Sequence, residues 1–247
     1  MKTLLVLMLF VIGLAFAGAA QEKIQSLEGL DVIPAEFTGT KFLATADHNG
    51  DLLKQYMKDN VIYPKEAVKC LNQGTEVASF TVTATGEIKD IRIINSVCPA
   101  IDEEFVRVLE TTSGMWKPAL KDGSNHDCFK EVSLSFSLNE SQEQTEKVFN
   151  AQATNNYLRG SEMLLVNHKI KKAEKFFTKA IRYMPYDANL LYLRGICRYE
   201  TGNEEGAMED WNRYSQISGF TAPPEEMAEN LKGFEAYQAY LHMHAEK

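Results

Sequence analysis

Thr75–Val97 reads TEVASFTVTATGEIKDIRIINSV. Ala78, Phe80, Val82 and Ala84 alternate with Val77, Ser79, Thr81 and Thr83, the mark of a strand with one buried face. Thr85-Gly86-Glu87 is a turn, with Gly86 free to take positive φ. Ile88, Ile91, Ile93 and Ile94 make a second strand. Pairing across Gly86 sets Ile88 opposite Thr83. Two strands alone are marginal in water, so the hairpin needs a cover.

The flanking sequence supplies one. Asp51–Asn60 (DLLKQYMKDN) has Leu52, Leu53, Tyr56 and Met57 at helical spacing. Pro64 opens a second short helix, PKEAVKC, and Gln73-Gly74 stops it. Beyond the hairpin, Ile101, Phe105, Val108 and Leu109 share one helix face, with Asp102 to Glu104 at its start. A third strand, CFKEVSLSFSL (Cys128–Leu138), puts Val132, Leu134, Phe136 and Leu138 on one face. The expected order is helix, strand, strand, helix, strand: an α+β domain over residues 30–138. Trp116 and Pro118 (SGMWKPALKDG, Ser113–Gly123) lie where the chain must reverse into the third strand. Trp116 is expected to fill the gap between helix and sheet, burying roughly 150–250 Å²; the alternative is a ligand-stacking ring. Pro118 forces an extended approach.

Composition bounds the function. The chain has 247 residues and a net charge of −8, which argues against nucleic acid, because phosphate recognition needs clustered Lys and Arg. Residues 1–20 carry Lys2, an apolar run and small residues before Gln21, the layout of a cleaved secretory signal; an uncleaved anchor helix is the alternative. No metal or nucleophile motif occurs. His48 and His168 are isolated, His126 lacks further ligands, and His242 and His244 sit near the C-terminus. No catalytic residue, cofactor, metal or small-molecule substrate is expected.

The segment Pro34-Ala35-Glu36-Phe37-Thr38-Gly39, then Leu52…Tyr56…Asn60…Tyr63-Pro64…Ala67, Gly74…Val77…Phe80…Val82…Gly86-Glu87-Ile88, Ile101-Asp102-Glu103, Trp116-Lys117-Pro118…Gly123 and Phe136 resembles the TonB C-terminal domain in the form common in the Bacteroidota. The resemblance implies a periplasmic domain with a small antiparallel sheet flanked by helices. It implies that the sheet takes a peptide of an outer-membrane transporter as an added strand. The third strand is the candidate edge, with Phe129, Glu131, Ser133 and Ser135 as partner-binding positions and Lys130 and Glu131 as guarding charges. Transducers of this family carry a membrane anchor and a long Pro-rich reach, whereas this chain has seven prolines. The expectation is an exported relative that kept the binding module; the alternative is a membrane-tethered energy transducer or accessory. On this topology Cys70 and Cys98 meet at one end of the hairpin and Cys128 lies at the other. A Cys70–Cys98 disulfide is expected, free thiols being the alternative.

Residues 139–150 (NESQEQTEK onward) read as a linker, and 151–247 as an all-α domain. Ala173 recurs as Ala207, Phe177 as Trp211, Ala180 as Tyr214, Pro185 as Gly219, Tyr157 as Leu191 and Ser161 as Gly195, each step 34 residues. This resembles a tetratricopeptide (TPR) helical-hairpin array, with repeats at 154–187 and 188–221 and a capping helix at 224–244. The resemblance implies a concave face on each first helix: Asn155, Leu158, Glu162 and Leu165 in one, Asn189, Tyr192, Ile196 and Tyr199 in the other. The expected partners are proteins: outer-membrane transporter peptides or components of an envelope complex.

Overall fold

A computed structural model describes residues 32–39, 51–139, 141–219 and 223–245; the expected signal peptide and His48 lie outside them. The chain divides into two compact units, at Thr145/Glu146.

In the first unit, short strands β1 (Val32–Ile33) and β2 (Glu36–Phe37) precede helices α1 (Leu52–Asn60) and α2 (Lys65–Lys69). The hairpin β3 (Gly74–Val82) and β4 (Ile88–Asn95) follows, then α3 (Pro99–Glu110), short strands β5 (Trp116–Lys117), β6 (Ala119–Lys121) and β7 (Ser124–His126), and long strand β8 (Cys128–Phe136). The principal sheet runs β4-β3-β8, all antiparallel. Two smaller sheets, β1-β6-β7 and β2-β5, brace the chain between α3 and β8. Their strands are two or three residues long, too short for any periodicity.

Asp51 caps α1 by accepting the Lys54 N–H, as an N-cap carboxylate should. Leu53 and Met57 face inward from α1, Ala67 from α2, and Ile101, Phe105, Val108 and Leu109 from α3. They pack on Ala78, Phe80 and Val82 of β3 and Val132, Leu134 and Phe136 of β8. Full burial of each large aliphatic or aromatic side chain contributes about 1.5–3 kcal/mol.

Three details differ from the sequence expectation. First, Val77 and Ser79 are buried along with Ala78 and Phe80, so β3, the central strand, has two covered faces rather than one. Second, Ile88 lies opposite Val82, not Thr83. The turn is closed by Gly86 N–H to Thr83 O and by Thr83 N–H to Glu87 O. Third, the helical stop lies at Leu71, which takes φ 53°, while Gly74 already opens β3.

Trp116 is 7 % exposed. Its ring lies 5.2 Å from that of Phe37 and 5.5 Å from that of Phe80, and its indole N–H donates to Thr112 Oγ1 at 3.2 Å. The Trp116 carbonyl occupies the space a Cβ on Gly86 would need, and Gly86 has φ 82°. Gly114 N–H donates to Gly86 O at 2.9 Å. The hairpin turn and the Trp116 corner therefore clasp each other.

The second unit consists of α4 (Gln142–Ser161), a π turn at Glu162–Val166, α5 (Ile170–Tyr183), α6 (Ala188–Glu200), α7 (Glu204–Ser218), α8 (Glu225–Leu231) and α9 (Glu235–Ala245). The expected linker is helical from Gln142, and the expected capping helix is two helices, broken around Lys232-Gly233. Phe177 packs where a Cβ on Gly160 would stand, and Trp211 where one on Gly195 would stand. The seat equivalent to Gly195 is thus Gly160, not Ser161. The π turn, with Asn167 N–H bonded to Glu162 O, absorbs one extra residue. Positions before it recur after 35 residues and positions after it at 34. Tyr157 therefore corresponds to Tyr192 rather than Leu191, and Arg159, over the Phe176 ring, to Arg194, paired with Asp210. Asp210 is buried and accepts from Arg194 at 2.9 and 2.6 Å; Arg198 approaches it at 3.1 Å.

Trp116→Ala should destabilise the first unit by about 3–5 kcal/mol, the range for removing a buried aromatic ring. Urea unfolding followed by far-UV circular dichroism measures it; a loss under about 1 kcal/mol would mean that the corner does not hold the domain.

Candidate functional site

The principal sheet has two edges, and they are built differently. Along β4 the register with β3 slips twice, between Val77/Ala78 and between Ser79/Thr81. At the second slip Asp90 takes φ 55°. Exposed Lys89, Asp90 and Arg92 line this strand, and Lys89 pairs with Asp127 at 2.7 Å. Bulges and charges of this kind blunt an edge. Along β8 nine consecutive residues pair with β3 without a break, from Gly74↔Phe136 to Val82↔Cys128. In an antiparallel strand alternate residues direct both backbone groups to one side, so among the described residues the outer side of β8 carries a regular ladder.

Phe129, Glu131, Ser133 and Ser135 occupy the face of β8 away from Val132, Leu134 and Phe136. Phe129 is 68 % exposed, Ser135 is exposed, and Glu131 and Ser133 are half-buried. Thr75 Oγ1 and Ser135 Oγ lie 3.2 Å apart. At the far end of the strand, Leu138 N–H donates to the Gln73 side chain at 2.9 Å, and the Tyr63 hydroxyl donates to Asn72 O. Leu71, beside Asn72, is 70 % exposed in its left-handed conformation. Composition could not separate the two edges; the irregular spacing of Ile88, Ile91 and Ile93 was the available signal.

Of the positions expected on a concave helical face, Asn155 and Glu162 are exposed, and Leu158, Leu165, Asn189 and Tyr199 are half-buried. Tyr192 and Ile196 are instead buried in the core. The α9 helix packs on Tyr192: the Tyr240 ring meets it at 4.9 Å and Trp211 at 5.5 Å. The π turn also shifts the register, so Leu158 corresponds to Leu193 rather than to Tyr192.

The expected Cys70–Cys98 disulfide is absent; Cys70, Cys98, Cys128 and Cys197 are all free thiols. Cys70 caps the C-terminus of α2 and points to solvent, whereas Cys98 packs against the core. Cys128 sits opposite Val82, at the other end of the sheet.

A feature unseen in the sequence lies inside the first unit. Glu76 of β3 is fully buried and accepts the Val97 N–H at 2.9 Å. Its Oε1 meets no N–H or hydroxyl donor, and its side-chain neighbour is the Asp102 carboxyl, with which a protonated Glu76 shares a hydrogen bond. Burial pushes its pKa up to about 8, with the Asp102 carboxylate adding to the rise and the Val97 N–H opposing it. Asp102, which accepts from the Ser96 hydroxyl at 2.9 Å, is itself raised, chiefly by burial. Nothing in the alternation marks Glu76 as inward except its phase with Ala78 and Phe80. Among the described residues no group of three or more His, Cys, Asp or Glu is placed to hold a metal. No described helix is long and apolar enough to cross a membrane.

A helix-backed sheet with one blunted edge and one regular edge is a module that can interact with another polypeptide. Residues 59–138 match the family described as the Gram-negative bacterial TonB protein C-terminal, so this segment carries a TonB C-terminal domain; the helical unit lies outside the match. Two solution structures of the TonB-CTD of Helicobacter pylori are similar. One is 18 % identical with a TM-score of 0.29, covering 36 % of this chain and 92 % of that chain. A longer form of the same domain is 20 % identical with a TM-score of 0.31, covering 36 % and 82 %. No curated protein matches.

The buried acid makes stability pH-dependent with a defined sign. The folded-state pKa of Glu76 lies above the unfolded value of 4.5, so the folded state holds the proton more tightly. Its contribution is complete below about pH 4.5 and is lost as pH rises towards about 8. Glu76→Gln keeps an acceptor for Val97 and carries no charge. The wild type should lose stability between these pH values and the variant much less, by urea titration at each pH; equal slopes would exclude this assignment.

Proposed function

We propose that this protein is a non-catalytic adaptor of the Gram-negative envelope, exported to the periplasm. Its first unit takes a segment of a partner, such as an outer-membrane transporter, as a fourth strand along β8. The observation that carries this reading is the contrast between edges: an unbroken nine-residue register on β8 against two slips and three charged side chains on β4. Strand addition draws affinity from main-chain hydrogen bonds and selectivity from side-chain pockets. Phe129, Glu131, Ser133 and Ser135 would flank the incoming strand.

The second unit is read as a TPR-like array of two helical hairpins that holds another protein. The recurrence of Gly160/Phe177 as Gly195/Trp211 and the stacking of α5, α6 and α7 support it. Two repeats bury too little surface to stand alone, and α9 supplies the missing layer. Asn155, Leu158, Glu162, Leu165, Asn189 and Tyr199 remain the candidate contacts.

Amide hydrogen exchange tests the strand addition. In the free protein, alternate β8 amides should exchange fast because they face outward. A transporter-derived peptide should slow that set and leave β4 unchanged. Slowing along β4, or none on β8 at saturating peptide, would reject the site.

A further inference from the structure

We propose that the solvent face of α5 is a docking surface for an acidic polypeptide segment of a partner protein. Lys171, Lys175 and Lys179 follow one another at four-residue spacing, and Lys172 joins Lys175 at three, so all four share one side of the helix. All are exposed. The opposite side, Ala173, Phe177, Ala180 and Ile181, is buried in the helical core. The helix has one acidic residue, Glu174, and it is turned towards Arg198, 3.8 Å away. Among the described residues, no carboxylate lies within ion-pair distance of Lys171, Lys172, Lys175 or Lys179. Arg159 extends the cationic surface, held over the Phe176 ring at 4.6 Å, with Lys179 at 5.9 Å from the same ring.

Like charges four apart on a helix oppose its formation. The chain as a whole has 34 acidic residues against 26 Lys and Arg, so carboxylates to interleave with this stripe were abundant in its composition. An uninterrupted cationic row on an acidic protein fits a partner of opposite charge. Its shape selects among anionic partners. The apolar side of α5 is occupied by its own core, so the helix has nothing to insert into a bilayer. The remaining net negative charge would oppose approach to a broad anionic surface. A narrow acidic segment meets only the lysine row.

The test uses the full chain and a fluorescein-labelled poly-glutamate peptide, with binding followed by anisotropy. The wild type should bind at low ionic strength and weaken as salt rises. Lys171→Glu/Lys175→Glu should lower affinity about tenfold or more. The same variant should melt no lower than the wild type, because Glu at 175 now pairs with Lys179. Lys54→Glu/Lys58→Glu, on α1, should leave affinity unchanged. Failure of the peptide to bind at low salt, or an equal loss in the α1 variant, would overturn the proposal. Binding to phosphatidylglycerol vesicles but not to the peptide would assign the face to lipid instead. Self-association in sedimentation that disappears in the α5 variant would assign it to a second copy of the chain, and the proposal would likewise fall.

Discussion

The first unit depends on a close approach of backbone to backbone. The carbonyl of Trp116 rests against Gly86, at a point where any side chain would collide. That contact joins the tip of the β3–β4 hairpin to the chain returning from α3. It also sets the Trp116 ring among Phe37, Phe80 and the Thr112 hydroxyl. The short strand β5 pairs with β2 at the same place, Phe37↔Trp116. With that corner fixed, the chain has one short loop through β6 and β7 before β8 must begin. The register Val82↔Cys128 follows from where the corner lets go.

The other edge is irregular for a reason within the sheet. Ile88, Ile91 and Ile93 all pack against the core. A strict two-residue alternation cannot place residues 88 and 91 on one face. The extra residue around Asp90, with its left-handed backbone, restores the phase. Core packing thus dictates the bulge, and the bulge spoils the ladder that β4 would otherwise offer. Edge protection here costs no separate device. Ile94, left over on the outside, is 38 % exposed.

Much of this organisation was legible. Strict alternation in β3 and β8, helical spacing in α1 and α3, and the recurrence of Ala173 and Phe177 are local patterns that survive in the sequence. What was not legible falls into two kinds. Strands of two residues, such as β2 and β5, have no period to detect; only their pairing with each other, Phe37↔Trp116, makes them strands. Burial of Glu76 and of Val77 depends on what covers the two faces of β3, which the strand's own residues do not reveal. Glu76 is in phase with Ala78, Phe80 and Val82 on the core face, but its charge argues for solvent until the helices that cover that face are known. The expected Cys70–Cys98 pairing belongs to the same kind: strand order puts the two at one end of the sheet, but it does not bring the sulfurs to bonding distance. Cys70 turns to solvent at the end of α2, and Cys98 turns to the core.

The helical unit shows how one inserted residue changes a site without changing a fold. The aromatic residues that fill the layers, Phe177 and Trp211, keep their spacing, because they follow the π turn. The glycines that receive them precede it and are displaced by one. An α-helix carrying the same extra residue would rotate its inner face by about 100° and expel Gly160 from beneath Phe177. The π turn takes up that rotation locally, where Asn167 N–H reaches back to Glu162 O. The core is preserved, and every position before the turn, inward or outward, recurs at 35 residues rather than 34. Arg159 and Arg194 occupy equivalent seats, but Phe176 stands where the second hairpin has Asp210, so Arg159 lies over a ring and Arg194 meets an acid. One layer is joined by a buried ion pair and the other by a cation over a ring, so the first hairpin retains a positive edge that the second neutralises.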